Sequence, residues 1–169
     1  MTAAVLEIVG AEAQERLGAA LAAACPRPFV VFLEGDLGAG KTTLVRGFLR
    51  ALGHAGAVRS PTFTLLEPYA LPAGPVYHLD LYRLAHPDEL AYLGLRDLLG
   101  GQSILLVEWP ERGQGELPAP DLRIAIEHLA AGRRVRLVPV TPAGVATVRA
   151  AVATSSGVYE EKGISRRIT

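Results

Sequence analysis

Residues Phe29–Leu33 form an unbroken apolar run, FVVFL, that stops at Glu34. Gly35-Asp36-Leu37-Gly38-Ala39-Gly40-Lys41-Thr42 follows directly, and beyond it Leu44, Phe48 and Leu52 recur at four-residue spacing up to Gly53. A continuous apolar run cut off by glycine is the pattern of a strand buried on both faces. Apolar residues four apart mark one face of a helix, with glycine as its stop. Strand, glycine-rich turn and helix in that order leave few architectures open. A strand covered on both faces belongs in a parallel sheet with helices packed over it.

The rest of the chain repeats this alternation. AVLEIVG reads as a first strand and AEAQERLGAALAAAC as an amphipathic helix ended by Pro26 and Pro28. VRSPTFTLLEPYALPAG mixes β-branched residues with prolines, so a strand broken by loops is expected. PVYHLDLYRL reads as a strand, and HPDELAYLGLRDLLGG as one or two short helices. SILLVEWP is apolar up to Glu108, and PDLRIAIEHLAAGRRVRLVPV forms two strands around a Gly-Arg turn. PAGVATVRAAVATSS makes a last helix. The expectation is a single α/β domain over 1–154 with a largely parallel sheet, then a loose, polar tail over 155–169.

Gly35, Gly40, Lys41 and Thr42 match G-x-x-x-x-G-K-[ST] at every fixed position. Glycines let backbone N–H groups turn inward and approach phosphate oxygens with no Cβ in the way. The helix that follows directs its positive end at the same anion. Lys41 supplies a point charge to the β- and γ-phosphates, and the Thr42 hydroxyl is suited to a magnesium ion. The position between a buried strand and a helix is the context this motif requires. The stretch reads as a nucleotide-binding P-loop.

Such a site also needs an acid at the end of an apolar strand to hold the magnesium shell. Glu108 ends ILLVE, and Asp80 ends the more mixed VYHLD. Guanine is commonly read through an Asn-Lys-x-Asp loop, and the chain contains no asparagine, so adenine is the expected base. His54, His78, His86 and His128 show no ligand spacing and read as surface or core residues. Arg133, Arg134 and Arg136 read as one solvated face of a hairpin or as a contact to nucleotide or RNA.

Composition narrows the remaining classes. Lys+Arg and Asp+Glu balance at 17 each, so no net field attracts nucleic acid or an anionic membrane. The two lysines are Lys41 and Lys162, the first inside the glycine-rich loop. The lone Cys25 rules out an internal disulfide and multi-cysteine metal sites. No leader pattern opens the chain and no apolar run approaches bilayer length, so a cytoplasmic location with no membrane partner is expected.

Four blocks, EGDLGAGKTTLVRGFLRALG, VRSPTFTLLEPY, YHLDLYRL and LLVEWPERG, resemble in order and spacing the successive blocks of the TsaE (YjeE) family. That family is the small bacterial ATPase of tRNA threonylcarbamoyladenosine synthesis, and the resemblance covers roughly residues 5 to 150. It implies a P-loop NTPase-like three-layer sandwich with a mostly parallel central sheet and a C-terminal β-hairpin. It also implies a weak, partner-dependent ATPase that uses ATP and Mg²⁺ and docks on a TsaB–TsaD complex, meeting tRNA only through it.

By position, the resemblance makes Asp36, Leu37, Gly38, Ala39, Gly40, Lys41, Thr42 and Thr43 the nucleotide contacts. Thr42 and Glu108 become the magnesium ligands, and Asp80 the acid linked to hydrolysis. Ser60 to Tyr69 looks like the family's switch segment, and Arg133 matches a position near the base. Trp109, the sole tryptophan, is either a packed aromatic or a contact to nucleotide or partner. The chain departs from the family at Gly10-Ala11, where a Ser or Thr is common near the adenine. Two other readings share these residues: a small-molecule kinase with Arg83 and Arg112 as lid cations, and a non-hydrolytic ATP-sensing module. Direct binding of tRNA is weaker, given the neutral net charge.

Overall fold

The computed structural model describes residues 2–159 and 164–168. Eight strands form one sheet: β1 (Ala4–Ile8), β2 (Phe29–Glu34), β3 (Leu66–Leu71), β4 (Gly74–Asp80), β5 (Ile104–Glu108), β6 (Leu122–Leu129), β7 (Gly132–Pro139) and β8 (Ile164–Ile168). Four α-helices accompany them: α1 (Ala11–Ala24), α2 (Lys41–Ala51), α3 (Leu95–Leu98) and α4 (Pro142–Tyr159). Pro87–Leu93 and Pro110–Gly113 are 3₁₀ turns.

The spatial order is β3-β4-β5-β2-β6-β7-β1-β8. The four central strands, β4, β5, β2 and β6, are mutually parallel. Both flanks are antiparallel, so the sheet is mixed. The hairpins explain this: two residues separate Leu71 from Gly74, and two separate Leu129 from Gly132. So short a connection can join only antiparallel neighbours.

The period of two along each strand sorts side chains into two cores. Phe29, Val31 and Leu33 of β2, with Ile104 and Leu106 of β5, pack against α1, α2 and α4. Phe32, Leu105, Val107 and Leu79 face Leu81, Leu84, Leu90 and Leu95 of the short turns and α3 on the opposite side. Helices, sheet and short helical segments make the three layers.

α1 and α2 meet backbone to backbone. A Cβ built at Gly18 would lie 2.9 Å from the Phe48 nitrogen, and one at Gly47 would lie 2.5 Å from both Cα and the carbonyl carbon of Glu15. Two glycines on facing helices thus fix the register of α1 against α2. Gln14, one turn before Gly18, is thereby held over the start of α2.

The segment read as a tail from residue 155 carries regular structure. α4 continues to Tyr159, and Ile164–Ile168 pairs antiparallel with β1. The added strand takes up hydrogen-bonding groups that β1 would otherwise present at a sheet edge. Residues 160–163 and 169 of that expected tail lie outside the described residues.

Candidate functional site

β2, β4 and β5 run parallel and end side by side. Asp80 pairs with Glu108, and Glu108 with Leu33, in the sheet register. Counting by twos from Val76 and Ile104, which pack with the helices, puts His78, Asp80 and Glu108 on the face toward α2. The chain leaves β2 at Glu34, loops through Gly35–Gly40 and enters α2 at Lys41. Gly40 takes φ 99°, ψ 25° as the residue before the helix. That left-handed conformation is strained for any residue with a Cβ. The sharp turn directs the first N–H groups of α2, which have no intrahelical partners, at the space above the strand ends.

That space is a cleft of about 620 Å³ lined by Leu37, Gly38, Gly40, Lys41, Thr42 and Thr43 of the loop and helix. Ser60, Thr62, Asp80, Tyr82, Arg83, Glu108 and Trp109 complete its walls. The Thr42 hydroxyl donates to Glu108 Oε1 at 2.9 Å. His78 Nε2 lies 3.0 Å from the same oxygen. The Ser60 hydroxyl donates to Asp80 Oδ2, while Asp80 Oδ1 accepts from the Tyr82 N–H at 3.0 Å. Both carboxylates are buried and fixed by neighbours.

Lys41 is 5% exposed. Its ammonium donates to the carbonyl oxygens of Gly35 and Asp36 and lies 4.5 Å from the centre of the Trp109 ring. Burial pushes its pKa below the usual lysine value, and the carboxylates of Glu108, Asp80, Glu111 and Asp36 oppose that shift. Trp109 takes φ 57°, an uncommon conformation for a large residue. Its ring lies 5.1 Å from that of Tyr82, tilted 48° to it, and Arg112 lies over both rings. It is therefore both packed and part of the cleft wall.

Of the residues expected in the site, Leu37, Gly38, Gly40, Lys41, Thr42, Thr43, Asp80 and Glu108 converge on the cleft. Asp36, Ala39 and Arg133 are not among its lining. Asp36 offers its carbonyl to Lys41, and Ala39 is fully buried. Arg133 bonds to the carbonyls of Ala39 at 3.1 Å and Gly38 at 3.2 Å. In the Ser60–Tyr69 segment, Ser60 and Thr62 reach the cleft, whereas Leu66–Tyr69 belong to β3 and pair with β4. Arg83 lines the cleft with its guanidinium over Phe63.

Two contacts escaped the sequence reading, in which His78 is only a surface or core residue. His78 is fully buried behind Glu108, and its place two residues before Asp80, on the same strand face, was the available signal. Gln14 on α1 bonds to the loop from a distance of 25 and 26 residues, and no local pattern announces it.

The donor set fits a magnesium-bound nucleoside triphosphate. Magnesium is commonly held by one or two carboxylates or hydroxyls, with phosphate oxygens and water completing six positions. A hydroxyl touching a strand-end carboxylate, beside a glycine-rich loop and the N-terminus of α2, meets that demand. Among the described residues no cluster of three His, Cys, Asp or Glu would hold a metal unaided, and no helix is long and apolar enough to cross a membrane.

Comparison with known proteins places the chain in a family. Residues 8–135 match the family described as "Threonylcarbamoyl adenosine biosynthesis protein TsaE". A tRNA threonylcarbamoyladenosine biosynthesis protein TsaE of Haemophilus influenzae is 48% identical over 118 residues, which is 70% of this chain and 75% of that protein. The TsaE of Bacillus subtilis is 43% identical over 127 residues, 75% of this chain and 78% of that one. The crystal structure of Bacillus subtilis YdiB superposes with a TM-score of 0.77 at 30% identity, covering 92% of this chain and 98% of the other.

Proposed function

The chain belongs to the TsaE family, and from that premise we propose that it binds and hydrolyses ATP as a component of tRNA threonylcarbamoyladenosine biosynthesis, acting on a TsaB–TsaD complex. The observation that carries this reading is the contact of the Thr42 hydroxyl with Glu108, at the mouth of the Gly35–Gly40 loop and opposite Asp80. Those three side chains and Lys41 answer the separate requirements of phosphoryl transfer to water.

Lys41 and the loop N–H groups bind the β- and γ-phosphates, and burial makes their charge count for more than it would in water. Thr42 and Glu108 would hold a magnesium ion, which would supply positive charge to the phosphate oxygens. His78 holds the Glu108 carboxylate from behind, so that the ligand keeps its direction. Asp80, pinned by Ser60 and the Tyr82 N–H, orients the attacking water. Ser60 and Thr62 link that acid to the segment leading into β3, a route by which the γ-phosphate is sensed. Trp109 and Tyr82 close the side of the cleft.

The test is modification of tRNA by TsaB–TsaD over many turnovers, with phosphate release followed in parallel. Asp80→Ala should keep ATP affinity, lose about 10²-fold in phosphate release, and stall modification after the first turnover. Modification that continues at the wild-type rate would instead favour an ATP-sensing module. A phosphorylated small acceptor would favour a kinase.

A further inference from the structure

Gln14 lies on α1, outside the cleft, yet is only 4% exposed. A buried amide is costly unless its hydrogen-bonding groups are used. Its two N–H bonds are both used on the phosphate loop: Nε2 donates to the carbonyls of Ala39 at 3.2 Å and Gly40 at 2.8 Å. Arg133, from the start of β7, adds Nε to the Ala39 carbonyl at 3.1 Å and a terminal nitrogen to the Gly38 carbonyl at 3.2 Å. Three successive loop carbonyls are therefore held by two side chains from elements remote in sequence. The fit is close. A Cβ at Gly40 would stand 2.7 Å from Gln14 Cδ and Oε1.

Within one planar trans peptide the C=O and N–H point to opposite sides. The Ala39 carbonyl is held toward α1 and β7, and the Gly40 carbonyl toward α1 and the Leu44 N–H of α2 at 3.1 Å, which turns the N–H groups of Gly40 and Lys41 the other way. Gly40 and Lys41 line the cleft. The neighbouring Ala39 N–H is engaged by the Asp36 carbonyl at 3.1 Å, so the loop's donors toward the anion begin with the next two. We infer that Gln14, assisted by Arg133, is a positioning residue that pre-orients the loop N–H groups for the phosphates of the nucleotide. The inference rests on the nucleotide-binding reading above and adds that α1 helps set affinity for the phosphate chain.

The test measures binding of ATP, and of inorganic tripolyphosphate as a base-free probe, to the full chain by calorimetry at pH 8 and pH 5.5. Gln14→Met keeps volume and removes the donors, and should bind both probes about tenfold more weakly at either pH. Gln14→Glu puts a carboxylate against carbonyl oxygens. At pH 8 it should lose at least as much, and recover part of the loss at pH 5.5. A carboxyl buried there protonates above its ordinary pKa of about 4.3 and then donates one hydrogen bond. A purely structural role for Gln14 predicts no such pH signature. Arg133→Gln, on a half-buried strand end, repeats the test without touching α1 and should weaken both probes about threefold. Variants that bind within twofold of wild type at both pH values overturn the inference, as does a loss seen for ATP and not for tripolyphosphate. Wild-type protein that binds neither probe overturns the nucleotide reading itself.

Discussion

Gly47→Ala separates two views of the α1–α2 contact by the sign of its effect. Gly47 sits in the interior of α2, where alanine is favoured over glycine by about 1 kcal/mol if nothing else intervenes. The packed structure demands the opposite. The new Cβ would sit 2.5 Å from two backbone carbons of Glu15, whereas carbon atoms settle at about 3.5–4.0 Å. The helices must part by about 1 Å, a gap that forfeits a quarter to a half of each contact's attraction along the seam. Leu17, Leu21, Leu44 and Phe48, all buried near that seam, lose packing together. Overpacking of this kind costs about 1–3 kcal/mol, and the obstacle is backbone, so the upper end applies. At about 2–4 °C per kcal/mol for a chain of this size, the melting temperature should fall by about 6–12 °C. Gly101→Ala is the control: Gly101 has φ 80° with nothing near its Cβ position, so it should lose only the strain of about 1–2 kcal/mol. Thermal and urea unfolding of both variants decide the matter. Gly47→Ala melting at or above wild type would refute the close approach and, with it, the placement of Gln14 over the loop.

Burial lowers the Lys41 pKa, so the unfolded chain, with lysine near 10.4, binds that proton more tightly than the folded one. The penalty is complete below the folded pKa and disappears as pH rises toward about 10.4. Lys41→Met should therefore bind no ATP yet unfold at higher urea than nucleotide-free wild type at pH 7. The gap should shrink as pH rises, and a constant or growing gap would contradict the assignment. Burial also pushes the Cys25 thiol up to about 11, against a smaller opposing pull from Arg27. Iodoacetamide labelling of folded protein should therefore be slow at pH 8 and accelerate only toward pH 11. Rapid labelling at pH 8 that Gly47→Ala does not further increase would count against a buried thiol.

The loop was legible because its glycines, Lys41 and Thr42 occupy fixed positions within eight residues, next to an apolar run that can only be an interior strand. Glu108 was legible as the acid at which an apolar run stops and Asp80 as the acid ending a more mixed strand, and the β4–β5 register brings them side by side. Local spacing does not encode what a distant element contributes. Gln14 looks like any polar position on an amphipathic helix until Gly18 and Gly47 set α1 against α2. His78 sits in a strand whose neighbours are mixed, and its meaning depends on Glu108 thirty residues on. The antiparallel β6–β7 hairpin was legible from its Gly-Arg turn, but the direction of β1 was hidden: its apolar character marks burial and says nothing about its antiparallel partner β7. Ile164–Ile168 offers two arginines between isoleucines, and only the open edge of β1 gives such a segment a place.

Lys41, Thr42, Glu108 and Asp80 are proposed to form an ATPase site that works with a partner. Phosphate release from ATP and Mg²⁺ tests it most directly, measured with and without purified TsaB–TsaD and with Lys41→Ala in parallel. Release should be slow alone, rise markedly with the partners, and vanish in both cases with Lys41→Ala. Release that ignores the partners, or that survives without Lys41, would contradict the proposal.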